Sequence, residues 1–245
     1  MEPFWSQMLP RPYFENDGVT LYHGDCREVL PELPSEAFKF ALTDPPYLVH
    51  YTGRWEAKSK PIAGDSDPSW IRPVFTEIWR LLKQDSLCLS FYGWPHAERF
   101  LATWKEIGFR PVSLIALIKD RWGLGRFTRS QHEPAYLLAK GHPDQPAQAI
   151  SDVLDWEQSS PLFHPNQKPL GAISKLIATY SPESAAVIDP FCGSGTTLVA
   201  ARALGRRAIG IEIEEQFCEV AALRLAQQVF HFTESTAPPE QLTLG

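Results

Sequence analysis

Residues 185–215 read AAVIDPFCGSGTTLVAARALGRRAIGIEIEE, from Ala185 to Glu215. An apolar run ends on an acid at Asp189 and a turn carrying Gly193 and Gly195 follows. A helix is then predicted from Thr196 or Thr197 to Gly205, before a second apolar run reaches Glu212. Strand, glycine turn, helix and strand in that order make half of a nucleotide-binding α/β unit. The glycines let the backbone approach a ligand closely, because a residue without a Cβ adopts turn conformations closed to other residues. Glu212 stands 17 residues beyond Gly195 at the tip of the second strand, placed to accept hydrogen bonds from ribose hydroxyls. Gly195 is followed by two threonines and not by the third glycine of the dinucleotide fingerprint. A ligand with a ribose and no pyrophosphate therefore fits better. The plain alternative is an ordinary strand, turn and helix with glycines for geometry; acids on both sides of the turn favour ligand binding.

Outward from that unit, short apolar runs alternate with amphipathic segments, the pattern of a mostly parallel sheet covered by helices. Candidate strands are Val19 to His23, Phe38 to Thr43, Leu87 to Tyr92, Val112 to Ile118, Ala135 to Ala139, Ala186 to Asp189 and Ala208 to Ile213. Between them, Val74, Phe75, Ile78, Trp79 and Leu82 recur at helical spacing. Further stripes run through Phe100, Leu101, Trp104 and Ile107, through Leu170, Ile173, Leu176, Ile177 and Tyr180, and through Phe217, Val220, Ala221 and Leu225. These stripes read as core faces. Two stretches, Leu48 to Ser69 and Gly141 to Pro165, carry neither period, and loops of that length in an α/β domain tend to be lids or binding segments. The expected organisation is an extension over 1–18, one domain over 19–230 and a frayed tail over 231–245.

Composition agrees with one α/β domain: 245 residues, 44% of them hydrophobic. No apolar stretch approaches the roughly 20 residues of a membrane helix. The N-terminus has an acid and two early prolines where a secretory signal would carry basic and then apolar residues. A soluble protein that stays in the cytoplasm is expected. Cys26, Cys88, Cys192 and Cys218 are far apart and form no C-x-x-C pair, so they suggest buried thiols and neither a zinc site nor a disulfide framework. A net charge of −6 argues against a surface that grips nucleic acid everywhere, but a sum hides local patches. KDRWGLGRFTR, Lys119 to Arg129, carries Lys119, Arg121, Arg126 and Arg129 against the single acid Asp120, and Arg54, Lys58 and Lys60 form a second basic group.

The second group follows TDPPY, Thr43 to Tyr47. Pro45 and Pro46 fix two φ angles and hold the residue before each extended, so the Asp44 carboxylate and neighbouring carbonyls form a rigid array of acceptors at a strand end. An acceptor array suits a substrate that donates, such as the exocyclic amine of adenine. If Asp44 and the Pro45 carbonyl accept its two hydrogens, the nitrogen is drawn toward a pyramidal geometry and can attack an electrophilic methyl group in line. Tyr47 would supply a flat face for a base swung out of the duplex. The bland reading is a rigid loop with Tyr47 packed on the core.

Taken together, TDPPY and DPFCGSGTT (Asp189 to Thr197) resemble the amino-methylating DNA methyltransferases that use S-adenosylmethionine. LYHGDCREVLPELP (Leu21 to Pro34) and HPNQKP (His164 to Pro169) match in the family's order, so the resemblance runs from about Val19 to Leu225. With the acidic motif ahead of the glycine turn, the order resembles the circularly permuted beta group. The resemblance implies a Rossmann-like seven-stranded sheet, mostly parallel with one antiparallel strand and helices on both faces. It implies that Asp25 and Cys26 lie at the cofactor's adenine end and Glu212 at its ribose. Asp189, Pro190 and the turn Phe191, Cys192, Gly193, Ser194, Gly195, with Thr196 and Thr197, would lie at its methionine end. Lys168 and Asp44 would help close the pocket. Asp44, Pro45, Pro46 and Tyr47 match the target-base motif, and aspartate at its first position favours adenine over cytosine. The partner implied is DNA, contacted by Arg54, Lys58, Lys60, Arg121, Arg126 and Arg129, with no membrane and no metal, in a restriction–modification or mobile-element setting. Larger members carry a sizeable recognition segment where this chain has only GHPDQPAQAISDVLDWEQSSPLF, so short or relaxed sequence specificity is expected unless a homodimer partner lends surface. Cytosine-N4 methylation, a nucleotide-dependent oxidoreductase and a silent binding module are the competing readings. His132 and Glu133 are adjacent on a strand and point to opposite faces, so they read as structural or DNA-contacting and not as a metal pair.

Overall fold

The computed structural model describes residues 9–49, 64–120, 122–123, 127–157 and 167–227. Arg54, Lys58, Lys60, Arg121, Arg126, His164 and the tail over 231–245 lie outside the described residues. Among the described residues, the strands are β1 (Phe14–Asn16), β2 (Val19–His23), β3 (Phe38–Thr43), β4 (Leu82–Phe91), β5 (Arg110–Ile118), β6 (His132–Lys140), β7 (Val153–Asp155), β8 (Ala186–Asp189) and β9 (Arg207–Glu212). They form one sheet in the order β1-β2-β9-β8-β3-β4-β6-β5-β7. The helices are α1 (Cys26–Val29), α2 (Ile71–Leu81), α3 (Ala97–Ile107), α4 (Leu170–Tyr180), α5 (Thr196–Ala203) and α6 (Glu215–Ala226).

The seven expected strands are all present, but the sheet has nine, and two of them run antiparallel, β1 against β2 and β6 against both β4 and β5. The two additions are three-residue edge strands, too short for an alternating pattern to show. β1 is folded back by Asp17 and Gly18, at φ +48° and +76°, the positive pair that a two-residue hairpin turn requires. Leu82, expected at the end of a helical stripe, instead opens β4 with extended backbone and pairs with Phe38.

Alternation along the strands sorts the core into two layers. Phe40, Leu42, Leu89, Leu137 and Val187 pack under α4, α5 and α6, while Ala41, Cys88, Leu138 and Ile188 pack under α1, α2 and α3. The second layer holds an aromatic cluster in which Phe75, Phe100 and Trp104 are wholly buried, with ring centroids 5.4 to 5.6 Å apart. Each such ring contributes roughly 2 to 3 kcal/mol by burial alone. α3 stops at Gly108, φ +121°, where the Gly108 and Phe109 N–H groups turn back onto the Trp104 carbonyl. All four cysteines are free and buried. No helix among the described residues is long and apolar enough to cross a membrane.

Two crossovers diverge at the sheet centre. From β8 the chain passes through α5 on one face to β9, whereas from β3 it passes through α2 on the other face to β4 on the opposite side. The crevice beyond the carboxyl ends of β8 and β3 is therefore the topological switch point, where open α/β sheets bind ligands.

Candidate functional site

β3 and β8 lie side by side, with Phe40 against Val187 and Ala41 against Ile188, so Asp44 and Asp189 flank that crevice. The Asp44 loop is held closely. A Cβ at Gly93 would stand 2.4 Å from the Tyr47 carbonyl oxygen, so only glycine after β4 lets the loop lie where it does. At the loop's exit Leu48 adopts φ +62°, a strained backbone for a branched side chain. His96 Nε2 lies 3.0 Å from the Leu48 carbonyl, and the Val49 N–H donates to Asp65 at 3.2 Å.

Asp44 joins a partly buried cluster of two acids and two lysines. The Tyr47 hydroxyl donates to Asp44 Oδ1 at 2.7 Å, and the Lys168 ammonium is paired with Asp44 Oδ2. Lys168 also reaches Glu133 Oε2 at 3.0 Å, and Glu133 Oε1 accepts from Lys119 at 2.5 Å. The Lys168 Nζ lies 4.6 Å from the Phe91 ring centroid, 5.6 Å from that of Tyr47 and 6.0 Å from that of Trp156. Lys119 stands over the other side of the cluster, 4.7 Å from the Trp156 ring. Burial works against the charge on Lys168, but Asp44 and Glu133 outweigh it and leave the ammonium harder to deprotonate than usual. Burial likewise pushes Glu133 up, and Lys168 and Lys119 overcome it, holding the carboxyl below its ordinary range. Tyr47 is raised well above its usual value by burial and by the acids around it.

Along the same sheet edge lies the glycine turn. Gly193 and Gly195 sit at φ +51° and +79°. A Cβ on Gly195 would meet that of Ala221 at 2.8 Å, whereas one on Gly193 would meet nothing within 4 Å. The turn is thus packed tightly on α6 behind and opens on free space in front. Arg224 of α6 ties it down, donating to the Ser194 carbonyl at 2.5 Å, the Ser194 hydroxyl at 3.1 Å and the Thr196 hydroxyl at 3.2 Å. Glu212 accepts the Gly193 and Glu214 N–H groups, each at 2.8 Å, one on each carboxylate oxygen. Asp189 accepts the Phe191 N–H at 3.1 Å. Burial lifts the Asp189 carboxyl to about 7; bonds from Thr197 and the Phe191 N–H oppose this, while the Asp44 and Glu212 charges add to it.

The tips of β2 and β9 are bridged by the Gly24 N–H on the Glu212 carbonyl, which brings Asp25 and Cys26 to the same edge. Asp25 caps α1 by accepting the Arg27 N–H at 2.9 Å and pairs with the Arg27 guanidinium, while Cys26 is buried. Asp44, Pro45, Pro46, Tyr47 and Lys168 therefore gather in one group. Asp25, Cys26, Asp189, Pro190, Phe191, Cys192, Gly193, Ser194, Gly195, Thr196, Thr197 and Glu212 line the neighbouring part of the edge. Free space stands before Gly193, with the Asp189 and Glu212 carboxylates on the same edge. No group of His, Cys, Asp and Glu suited to a metal occurs among the described residues.

Arg129 lies on the hairpin between β5 and β6, its guanidinium 5.6 Å from the Trp122 ring centroid, next to a fully exposed Phe127. That hairpin rises from the acid–lysine cluster, since Lys119 and Glu133 stand at its base and the Lys119 N–H bonds the Gln131 carbonyl at 2.7 Å. Sequence reading did not assign Glu133, Lys119, Trp156, Phe91 or Gly93 to the site. β6 runs antiparallel to β4, so it brings its beginning to the edge where its neighbours end. Trp156 follows β7, within the stretch expected to be an unordered recognition segment.

The chain matches the DNA methylase family over residues 38–223. It is 43% identical to the YubD protein of Escherichia coli (strain K12) over 203 residues, covering 83% of this chain and 88% of that one. It is 25% identical to the DNA adenine methyltransferase YhdJ of the same organism over 273 residues, covering 95% of this chain and 91% of that one. In fold it is similar to the cytosine-N4-specific PvuII DNA methyltransferase, with a TM-score of 0.74 at 17% identity over 88% of this chain and 89% of that one. It is also similar to the M1.HpyAVI complex with S-adenosylmethionine, with a TM-score of 0.68 at 22% identity over 85% of this chain and all of that one.

Proposed function

The chain belongs to the family of DNA methylases that act at N6 or N4 amines, and from that premise we propose that it methylates N6 of adenine in DNA, with Asp44 holding the target amine. S-adenosylmethionine is the cofactor, and when bound it supplies an electrophilic methyl group. The residues suited to hold it are Asp25 and Cys26, Glu212, and Asp189 with the turn from Pro190 to Thr197, while Lys168 sits with the Asp44 group. The free space before Gly193 supports this reading.

The chain's own contribution is to position and polarise. The Asp44 carboxylate and the Pro45 carbonyl accept the two amine hydrogens, which concentrates the nitrogen lone pair on the side away from the ring plane. Asp44 is also the group placed to take the proton that the amine loses. Tyr47 holds Asp44 through its hydroxyl and offers its ring to an extruded base. Arg129, together with Arg54, Lys58, Lys60, Arg121 and Arg126, would neutralise DNA phosphates. The motif order supports membership of the circularly permuted group, and residues 19–230 would form the methyltransferase domain.

The observation that carries adenine is the aspartate that opens the Asp-Pro-Pro-Tyr motif, and the name of the relative YhdJ agrees with it. Cytosine-N4 methylation is the second reading, favoured by the fold likeness to the PvuII enzyme. Base analysis of DNA treated with purified protein and S-adenosylmethionine separates them: N6-methyladenine is expected, and N4-methylcytosine would overturn the assignment.

A further inference from the structure

The Lys168 ammonium occupies the carboxylate that the target amine needs. Both groups are hydrogen-bond donors seeking Asp44, and a tightly bound ammonium also drains that carboxylate of the electron density an amine would use. Lys168 cannot retreat into water, because its side chain is only 8% exposed. A buried charge separated from its counter-ion is costly, so the ammonium can leave Asp44 only if another anion is already within reach. Glu133 is that anion, at 3.0 Å. Its other oxygen is held by Lys119, which is itself seated against Trp156, so Glu133 is fixed in place on its far side. The faces of Phe91, Tyr47 and Trp156 surround the ammonium and would stay in contact over a short shift, since attraction to a ring face tolerates such displacement. The two acids and two lysines are also balanced in charge, so handing Lys168 from one acid to the other changes no net charge inside the site.

We propose that Glu133 is a positioning residue that takes the Lys168 ammonium from Asp44 when the target base enters, freeing Asp44 to accept the amine. This rests on the reading of Asp44 as the amine acceptor. Lys168 then serves as a placeholder: it keeps the Asp44 carboxylate paired while no base is bound and yields it when a better-placed donor arrives. A purely structural Glu133 would contribute to folding and to the seat of Lys119, with no influence on how firmly Lys168 grips Asp44.

The test compares turnover, at saturating DNA and cofactor, of the wild type, Glu133→Gln, Lys168→Met, the double variant Glu133→Gln/Lys168→Met, and Asp44→Ala. Glu133→Gln should leave Asp44 as the one anion within reach of Lys168 and slow turnover at least about tenfold, the scale of one charge-assisted hydrogen bond, with cofactor affinity unchanged. The double variant has no ammonium left to displace and should recover most of that loss. A double variant as slow as Glu133→Gln, or slower, overturns the proposal. A structure of the wild-type protein with a target duplex and S-adenosylhomocysteine gives a second reading that needs no variant to fold. Lys168 should be found on Glu133 and beyond hydrogen-bonding distance of Asp44, and an ammonium still on Asp44 overturns the proposal. Asp44→Ala separates the two levels. Normal turnover there removes the acceptor role itself, while a dead Asp44→Ala beside an unrescued double variant removes only the part given to Glu133.

Discussion

At Asp189 and Asp44, two carboxylates on adjacent strand ends are given different tasks by their surroundings. Asp44 keeps lysine and tyrosine partners, and its removal should cost turnover roughly a hundred- to a thousandfold, the scale of losing one preorganised polar contact to the reacting group. Cofactor affinity should stay near wild type, and isothermal titration with S-adenosylmethionine alongside a methyl-transfer assay checks both halves. Asp189 is buried and ionises only around pH 7. A cationic cofactor favours the ionised form, so affinity should climb up to about tenfold per pH unit below that point and level off above it. The effect on the unliganded fold has the opposite sign. The folded state keeps a proton that the unfolded chain loses near its ordinary value of 3.8, so stability is greatest below that value and declines as pH rises to about 7. Asp189→Asn should flatten both profiles, and a binding curve that keeps its slope in that variant would take the residue out of the cofactor's reach.

The Asp-Pro-Pro-Tyr loop is shaped as much by its neighbour as by its own prolines. Gly93→Ala would drive a methyl group into the Tyr47 carbonyl, and the loop must move to relieve it. Overpacking of this kind costs about 1 to 3 kcal/mol. Thermal melting should show that loss, and turnover should fall further than stability alone explains, because Tyr47 and Asp44 move together. The glycine turn and the acidic motif were legible because their chemistry is compressed into a few consecutive residues. Glu133 was not, since its role arises from β6 running opposite to β4 and meeting a lysine more than thirty positions further along the chain. Gly93 was hidden for the same reason: what it avoids is backbone from another strand's loop. The β1 hairpin did carry its signal, Asp17 followed by Gly18, but a three-residue strand gave no alternation to accompany it. β7 and Trp156 gave no local pattern at all.

For the whole molecule, the shortness of the stretch between Lys140 and His164 sets the expected sequence specificity. Between Lys140 and His164 the chain offers few donors for base edges, His142, Gln145, Gln148 and Gln158, with no arginine or lysine, and Val153–Asp155 is committed to the sheet. Each good bidentate base contact contributes about 1 to 3 kcal/mol of discrimination. Arg129, beside Trp122 on an exposed hairpin, is better placed for phosphates, which position a protein without specifying sequence. Sequencing methylated adenines across a genome exposed to the enzyme should therefore reveal a short or relaxed site, and a single motif of about five or more defined bases would refute this. The order of strands bears on how the chain comes to exist. β2 and β3 leave the ribosome early, yet the slot between them belongs to β9 and β8, from the last quarter of the chain. Until those residues are synthesised, two inner strands stand with unsatisfied edges, a condition that invites pairing with other chains. The centre of the sheet, and with it the crevice between Asp44 and Asp189, closes last, so a half-made enzyme has no half-made activity.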